Sequence, residues 1–497
     1  MLFNSLPYIF GFLPITLLVF FAAGRLGAHP LGARLAATWL VVASLAFYGW
    51  WNPAYLSLLL GSIVWNFGAA LWLIRCPAGG SLRRGVLIAA IAGDLGLLGV
   101  FKYADFVLHT AAALAGRDLG TLGILLPLGI SFFTFTQIAF LVDTARGEVR
   151  EVDPVNYALF VTFFPHLLAG PVLHHREMMP QFERPETYRP RAENLSVGLT
   201  IFIVGLFKKV VLADGVAVYA GPLFDAAGTG AHPGVADAWI GALAYTFQLY
   251  YDFSGYTDMA IGGARLFGIV LPENFRAPYQ SASLIDFWRR WHMTLSRFLR
   301  DYLYVPLGGN RHGLARRHLN LLATMLLGGL WHGAAWTFVF WGGFHGVGLI
   351  VNHGWRALLG RLGFAPGHFG LPGRVAGVVV TFLVVVVGWV FFRADSLAAA
   401  GHILAGMAGL HPGAAPIYRG WAQELWLVFL LAVTFLAPTT QEFVGRFQPH
   451  LIGGADDTGW AWGWWRPQLR WAVVLVAAFL AALSQMSDIS PFLYYRF

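Results

Sequence analysis

The chain is short of cysteine and of charge. Its single cysteine, Cys76, excludes an internal disulfide and any multi-cysteine metal site. It follows an apolar run beside Arg75 and reads as a packing residue. Charged residues make up 12% of 497 positions, where a soluble domain carries about 25%. The shortage runs the whole length, so most of the chain has no water-facing surface. No polar stretch is long enough for a separate soluble domain. A nucleic-acid module, a solenoid repeat and a carboxylate–histidine motif of the zinc-hydrolase kind are all missing. His174 and His175 are adjacent, which is not ligand spacing on a helix, so no metal site is expected.

What the chain has is hydrocarbon: 57% hydrophobic residues. Apolar runs recur at Ile9–Ala22, Leu40–Gly49, Val86–Val100, Ile201–Val211, Val378–Val390, Trp426–Leu436 and Trp471–Leu483. A crossing needs about 20 residues, so the pattern predicts about 11–13 transmembrane or re-entrant helices. The expectation is one all-α integral-membrane domain over 1–497. Within it, 1–150 would be N-terminal scaffold spans, 151–350 the catalytic core with re-entrant and interfacial helices, and 351–497 C-terminal spans. Met1–Phe10 has no basic residue and reads as an uncleaved first helix. Arg25 and Arg34 follow the first span, and Arg75, Arg83 and Arg84 follow the third. The Trp50–Pro53 turn between them has no basic residue. This alternation puts the N-terminus outside. The net charge of +8 then reflects the positive-inside bias rather than a nucleic-acid partner.

Two stretches cannot be plain spans. Leu126–Phe135 is broken by Pro127, Gly129, Ser131 and Thr134, and Phe163–Pro171 carries two prolines and a glycine. Freed backbone groups at membrane depth need protein or a cavity to satisfy them. His174–Arg191 is polar and belongs at the membrane surface. In Asp286–Tyr302 the helical period separates Asp286, Arg289, Arg290, Arg297, Arg300 and Asp301 from Phe287, Trp288, Trp291, Leu295, Phe298, Leu299 and Tyr302. This predicts one amphipathic helix lying in the interface, with His292 at the edge of its apolar arc.

Histidines carry the chemistry. His332 lies in Leu327-Gly-Gly-Leu-Trp-His-Gly-Ala-Ala-Trp336, an apolar segment where an ionisable group is costly unless it serves a function. Gly328 and Gly329 precede it by four and three positions and would leave the imidazole uncovered. The alternative for His332 is a buried ring bonded to a backbone carbonyl. His292 is a second candidate, with snorkelling to water as its alternative. His345 reads as mainly structural, since 13 residues on one helix put it about 140° from His332. Arg289, Arg290, Arg297, Arg300 and Arg311 form a basic field suited to phosphate or to anionic lipid headgroups. Asp252 and Asp258 are expected to pair with nearby arginines.

Several strings resemble the membrane-bound O-acyltransferase superfamily, and within it the bacterial alginate O-acetyltransferase subfamily. They are Phe164-Pro-His-Leu-Leu-Ala-Gly-Pro171, Tyr251-Asp-Phe-Ser-Gly-Tyr-Thr-Asp-Met-Ala-Ile261, Pro272-Glu-Asn-Phe275, Asp286-Phe-Trp-Arg-Arg-Trp-His-Met-Thr-Leu-Ser296, Tyr304-Val-Pro-Leu-Gly-Gly-Asn-Arg311, Gly329-Leu-Trp-His-Gly333 and Trp341-Gly-Gly-Phe-His-Gly346. The resemblance implies helices around a central funnel or pore, with His332 as the catalytic histidine and His292 as the second functional polar position. It implies acetyl-CoA as cytoplasmic donor substrate and no metal. It also implies a multi-pass protein of the bacterial cytoplasmic (inner) membrane. The partners would be membrane lipids, polysaccharide machinery and a separate exported transferase of the SGNH type. The activity implied is acetyl transfer across the membrane for O-acetylation of an exported, alginate-like polysaccharide. On this reading His332 takes the acceptor's hydroxyl proton, and His292 orients the acceptor or hydrogen-bonds the thioester oxygen. A lipid or teichoic-acid-type acceptor is the alternative within enzymes. A proton-coupled transporter is the alternative outside them, against which stands the lack of inverted repeats.

Overall fold

A computed structural model describes residues 1–26, 30–149, 152–168, 170–365, 367–411, 416–451, 465–486 and 492–493. The boundary expected at 150/151 lies outside them. Every regular element among the described residues is a helix. Among the described residues, six helical segments are long and apolar enough to cross a bilayer: Pro7–Arg25, Leu31–Gly49, Tyr55–Arg75, Ser81–Ala115, Ala192–Gly228 and Gly370–Arg393. Leu397–Met407, Ala422–Leu436 and Leu469–Ser484 are shorter apolar helices. The remaining expected crossings are broken pieces or more polar helices. The chain forms two compact units: Met1–Leu206 with Tyr256–Glu273 and Thr440–Tyr495, and Phe207–Gly255 with Asn274–Thr439.

In the first unit, local sequence sets the breaks. Gly129 takes a left-handed conformation (φ +73°) and opens the helix Ile130–Arg146, and a Cβ there would press on the Leu167 carbonyl at 3.1 Å. Asp153 caps Pro154–Thr162 by accepting from the backbone N–H groups of Val155 and Asn156. That helix stops at Phe163, and Phe164–Leu167 forms a separate turn, as the prolines and glycine require. His166 is buried there, its Nε2–H donating to the Phe160 carbonyl at 2.9 Å. Burial pushes this imidazole down to about 4. Aromatic rings fill the centre of the unit, where Phe12, Phe47 and Phe164 lie within 5.1–5.6 Å of one another.

The N-terminal spans are less plain than expected. Asn66 donates to Asp94 at 2.7 Å, Gln137 to Ser62 at 2.8 Å, and Tyr157 to Gln137 at 3.0 Å. These buried groups tie four helices together with the hydrogen bonds that hydrocarbon cannot supply. Asp258 accepts from the Thr440 hydroxyl at 2.6 Å and the Gln441 amide at 2.7 Å.

In the second unit, Asp252 meets a lysine, not the expected arginine. Lys209 Nζ lies 2.7 Å from Asp252 and 2.7 Å from Asp214. Lys209 and Asp252 are each 1% exposed. The two carboxylates offset part of the ammonium's burial cost, so removing Lys209 would be destabilising.

Candidate active site

The second unit carries every residue singled out for chemistry. Gly313–His332 and Trp336–Arg361 form an antiparallel hairpin. The chain turns through extended Gly333 (φ −158°), so His332 ends one helix and His345 lies on the next. The expected 140° separation, which assumed one continuous helix, does not apply. Glycines set the contact: a Cβ on Gly329 would strike the Phe338 carbonyl oxygen, and one on Gly342 the Met325 carbonyl oxygen. Gly329 therefore serves close helix approach, where the sequence pointed to exposure of the imidazole. Gly328 does serve the site, since it borders a cavity together with His332.

The amphipathic segment is also interrupted. Ser283 caps Leu284–Arg290, and a second helix runs Met293–Leu299. Between them His292 adopts φ +44°, ψ 53°, a left-handed conformation unusual for a residue with a Cβ. Asn274 fixes it. Its Oδ1 accepts from the Thr294 backbone N–H at 3.2 Å and the Thr294 hydroxyl at 2.8 Å. Its backbone carbonyl accepts from the Met293 N–H at 3.0 Å. A single helix would leave the buried Asn274 oxygen without these donors, and this local exchange overrides the helical period.

The same oxygen sets the tautomer of His292, whose Nδ1 lies 3.1 Å from it. A backbone N–H only donates, so the Asn274 atom facing Thr294 is the oxygen and only accepts. His292 Nδ1 therefore carries the proton and Nε2 is the acceptor. His292 is fully buried, and burial pushes its pKa down to about 3. It is neutral at physiological pH. In this tautomer Nε2 can accept a hydrogen bond and cannot donate one.

His332 is 4% exposed, and its ring centroid is 6.4 Å from that of His292. Trp331, Trp341 and Phe392 surround it at 5.0, 5.2 and 5.3 Å, all edge to face. A cavity of about 190 Å³ opens beside it, lined by apolar side chains with Ser296, Arg300, Tyr304 and Thr324. No acidic side chain lines it. Of the five arginines singled out, Arg300 alone borders the cavity, and it is held by Asp301 through Nε at 2.7 Å. Arg290 pairs with Asp286 at 3.0 Å. Arg289 and Arg311 are exposed, and Arg297 is half-buried. His345 is fully buried with no hydrogen-bond partner at either nitrogen among the described residues. Gly388 makes room for it, since a Cβ there would come within 2.7 Å of Nε2. The described residues hold no group of three metal-ligating side chains.

Sequence reasoning missed Asn274 and Trp341. Asn274 lies inside the quoted Pro272–Phe275 string, but nothing local signals that its side chain folds back on residues 292–294. Trp341 reads as one aromatic among many.

A multi-pass helical protein with buried His332 on the wall of a small, mostly apolar cavity, and buried His292 close by, is compatible with an acyltransferase. The comparisons with known proteins give the family. The sequence profile of the membrane-bound O-acyltransferase family matches residues 105–385. A peptidoglycan O-acetyltransferase of Helicobacter pylori is 43% identical over 436 residues, covering 83% of this chain and 80% of that protein. A probable alginate O-acetylase of Pseudomonas putida is 38% identical over 518 residues, covering 100% of both. A teichoic acid D-alanyltransferase of Bacillus subtilis is 26% identical over 273 residues, covering 53% of this chain and 68% of that protein. The chain belongs to the membrane-bound O-acyltransferase family and is an acyltransferase.

Proposed function

We propose that this chain takes acetyl groups from cytoplasmic acetyl-CoA and passes them across the membrane for O-acetylation of an exported cell-surface polysaccharide. The observation that carries the reading is the pairing of His332 with His292, 6.4 Å apart, with His332 on the wall of a cavity too small for a long acyl chain. The acceptor hydroxyl oxygen attacks the thioester carbon, a C–O bond forms to give a tetrahedral intermediate, and the C–S bond then breaks. His332 takes the hydroxyl proton and returns it to the departing thiolate, giving CoA thiol and an acetyl ester. His292 accepts an O–H or N–H of a bound substrate at Nε2 and holds it in register. Arg300 at the cavity, with Arg289, Arg290, Arg297 and Arg311, receives the CoA phosphates.

The names of two relatives, a probable alginate O-acetylase and a peptidoglycan O-acetyltransferase, support a polymer acceptor. The D-alanyltransferase resemblance raises an aminoacyl donor as the rival. The cavity wall argues against it, because no carboxylate lines it to receive an ammonium. No Ser-His-Asp transferase domain is evident in the sequence, so a separate exported transferase of the SGNH type completes the route. The protein sits in the bacterial cytoplasmic membrane with its N-terminus outside. The test uses inverted membrane vesicles holding this chain, the exported partner and polymer, supplied with labelled acetyl-CoA. Label enters the polymer with wild-type protein and not with His332→Ala at equal protein level. Labelling that persists in His332→Ala, or that requires activated D-alanine instead, contradicts the reading.

A further inference from the structure

The reaction drawn above leaves one charge unanswered. As the acceptor oxygen bonds to the thioester carbon, the carbonyl oxygen becomes an oxyanion, and it needs a donor placed in advance. His292 cannot serve, because its proton sits on Nδ1 and points to Asn274. Two hydroxyls on the cavity wall are engaged elsewhere. Thr324 donates to the Asn320 carbonyl at 2.7 Å, and Ser296 to the Trp291 carbonyl at 3.4 Å. Arg300 is engaged by Asp301 through Nε and Nη2. That leaves the half-buried Tyr304 and two indoles, Trp288 and Trp341. Both indole Nε1–H groups are buried and neither has a hydrogen-bond partner among the described residues. A buried N–H left unsatisfied in the protein is costly, and both rings line the same cavity.

Trp341 is the one beside the base. It is 1% exposed, and its ring stands edge to face with His332 at 5.2 Å. The Trp288 ring lies 5.7 Å from that of Trp341. We infer that Trp341 is a further catalytic residue whose indole N–H donates to the acyl oxygen as the tetrahedral intermediate forms. The bond strengthens as negative charge develops and relaxes when the C–S bond breaks and the carbonyl re-forms.

This rests on the acetyl-transfer reading, and the experiment separates the two. Purified wild-type chain with its acceptor is assayed for acetyl-CoA turnover beside Trp341→Phe and Trp288→Phe. Trp341→Phe keeps an aromatic wall and loses the N–H. The expected result is a kcat lower by ~100-fold, with the KM for acetyl-CoA within about 2-fold, since the contact is made in the transition state. Should the Phe variant misfold, benzothienylalanine at position 341 keeps the bicyclic shape without a donor and must show the same loss. Unchanged kcat in a folded variant, a KM effect alone, or a larger kcat loss in Trp288→Phe overturns the assignment. A wild-type chain that does not turn over acetyl-CoA sinks the parent reading instead.

Discussion

Asn274 offers the sharpest test of how the site is built. Its side-chain oxygen accepts from the Thr294 N–H at 3.2 Å, the Thr294 hydroxyl at 2.8 Å and His292 Nδ1–H at 3.1 Å. Asn274→Ala removes all three. The Thr294 hydroxyl rotates to find another acceptor. The Thr294 N–H and His292 Nδ1–H are fixed, and each buried donor left unsatisfied costs about 1–3 kcal/mol. His292 also loses part of what holds its left-handed backbone, worth about 1–2 kcal/mol. A local loss of about 3–8 kcal/mol follows. At ~1.4 kcal/mol per factor of ten, that is enough to leave the aligned His292 a minor conformer. The expected outcome is acetyl-CoA turnover reduced by ~100-fold or more, with a lower melting temperature in detergent. Asn274→Asp keeps an acceptor in the same place and retains the fold and more of the activity. Wild-type turnover in Asn274→Ala would refute the idea that this oxygen positions His292.

Other perturbations reach different parts of the structure. Gly342→Ala drives a methyl into the Met325 carbonyl oxygen. The hairpin carrying His332 must open, at about 1–3 kcal/mol, read as a lower melting temperature, whereas Gly354→Ala on the same helix meets nothing and leaves it unchanged. Lys209→Met strands two carboxylates that each lie 2.7 Å from the ammonium. About 3–5 kcal/mol of stability is lost, and folded yield is the readout. His166 and His292 are held neutral by burial, at about 4 and about 3. Their folded pKa values lie below the unfolded value near 6.5, so the unfolded chain binds more protons as pH falls. Stability is therefore full above about pH 6.5 and declines toward pH 4, by ~2 kcal/mol per histidine at pH 5. Thermal unfolding at pH 7 and pH 5 checks this, and His292→Gln should flatten the slope.

Much of this was legible from residues, and the rest failed for identifiable reasons. His332 stood out because an ionisable ring in an apolar run is rare, and the glycine-bearing motifs around it resemble one family closely. The breaks at Gly129 and Phe163 were legible because glycine and proline announce them. The break at His292 was not, because the apolar period of 286–302 survives across it. What breaks the helix is Asn274, 18 residues upstream, through a contact that no local pattern encodes. The Lys209–Asp252 pair and the Asn66–Asp94 hydrogen bond escaped notice for the same reason. In each case the partner lies 43 or 28 positions away, beyond any local pattern. Gly329 was assigned the wrong task because sequence places it beside the imidazole but cannot show the backbone of the next helix lying against it.

The most direct test follows the proton acceptor itself. Purified wild-type protein and His332→Ala, matched for bound acetyl-CoA, are mixed with the acceptor, and free CoA thiol is recorded over time. Thiol release by the wild type and only background release by His332→Ala is the predicted result. Equal rates from the two proteins would contradict it.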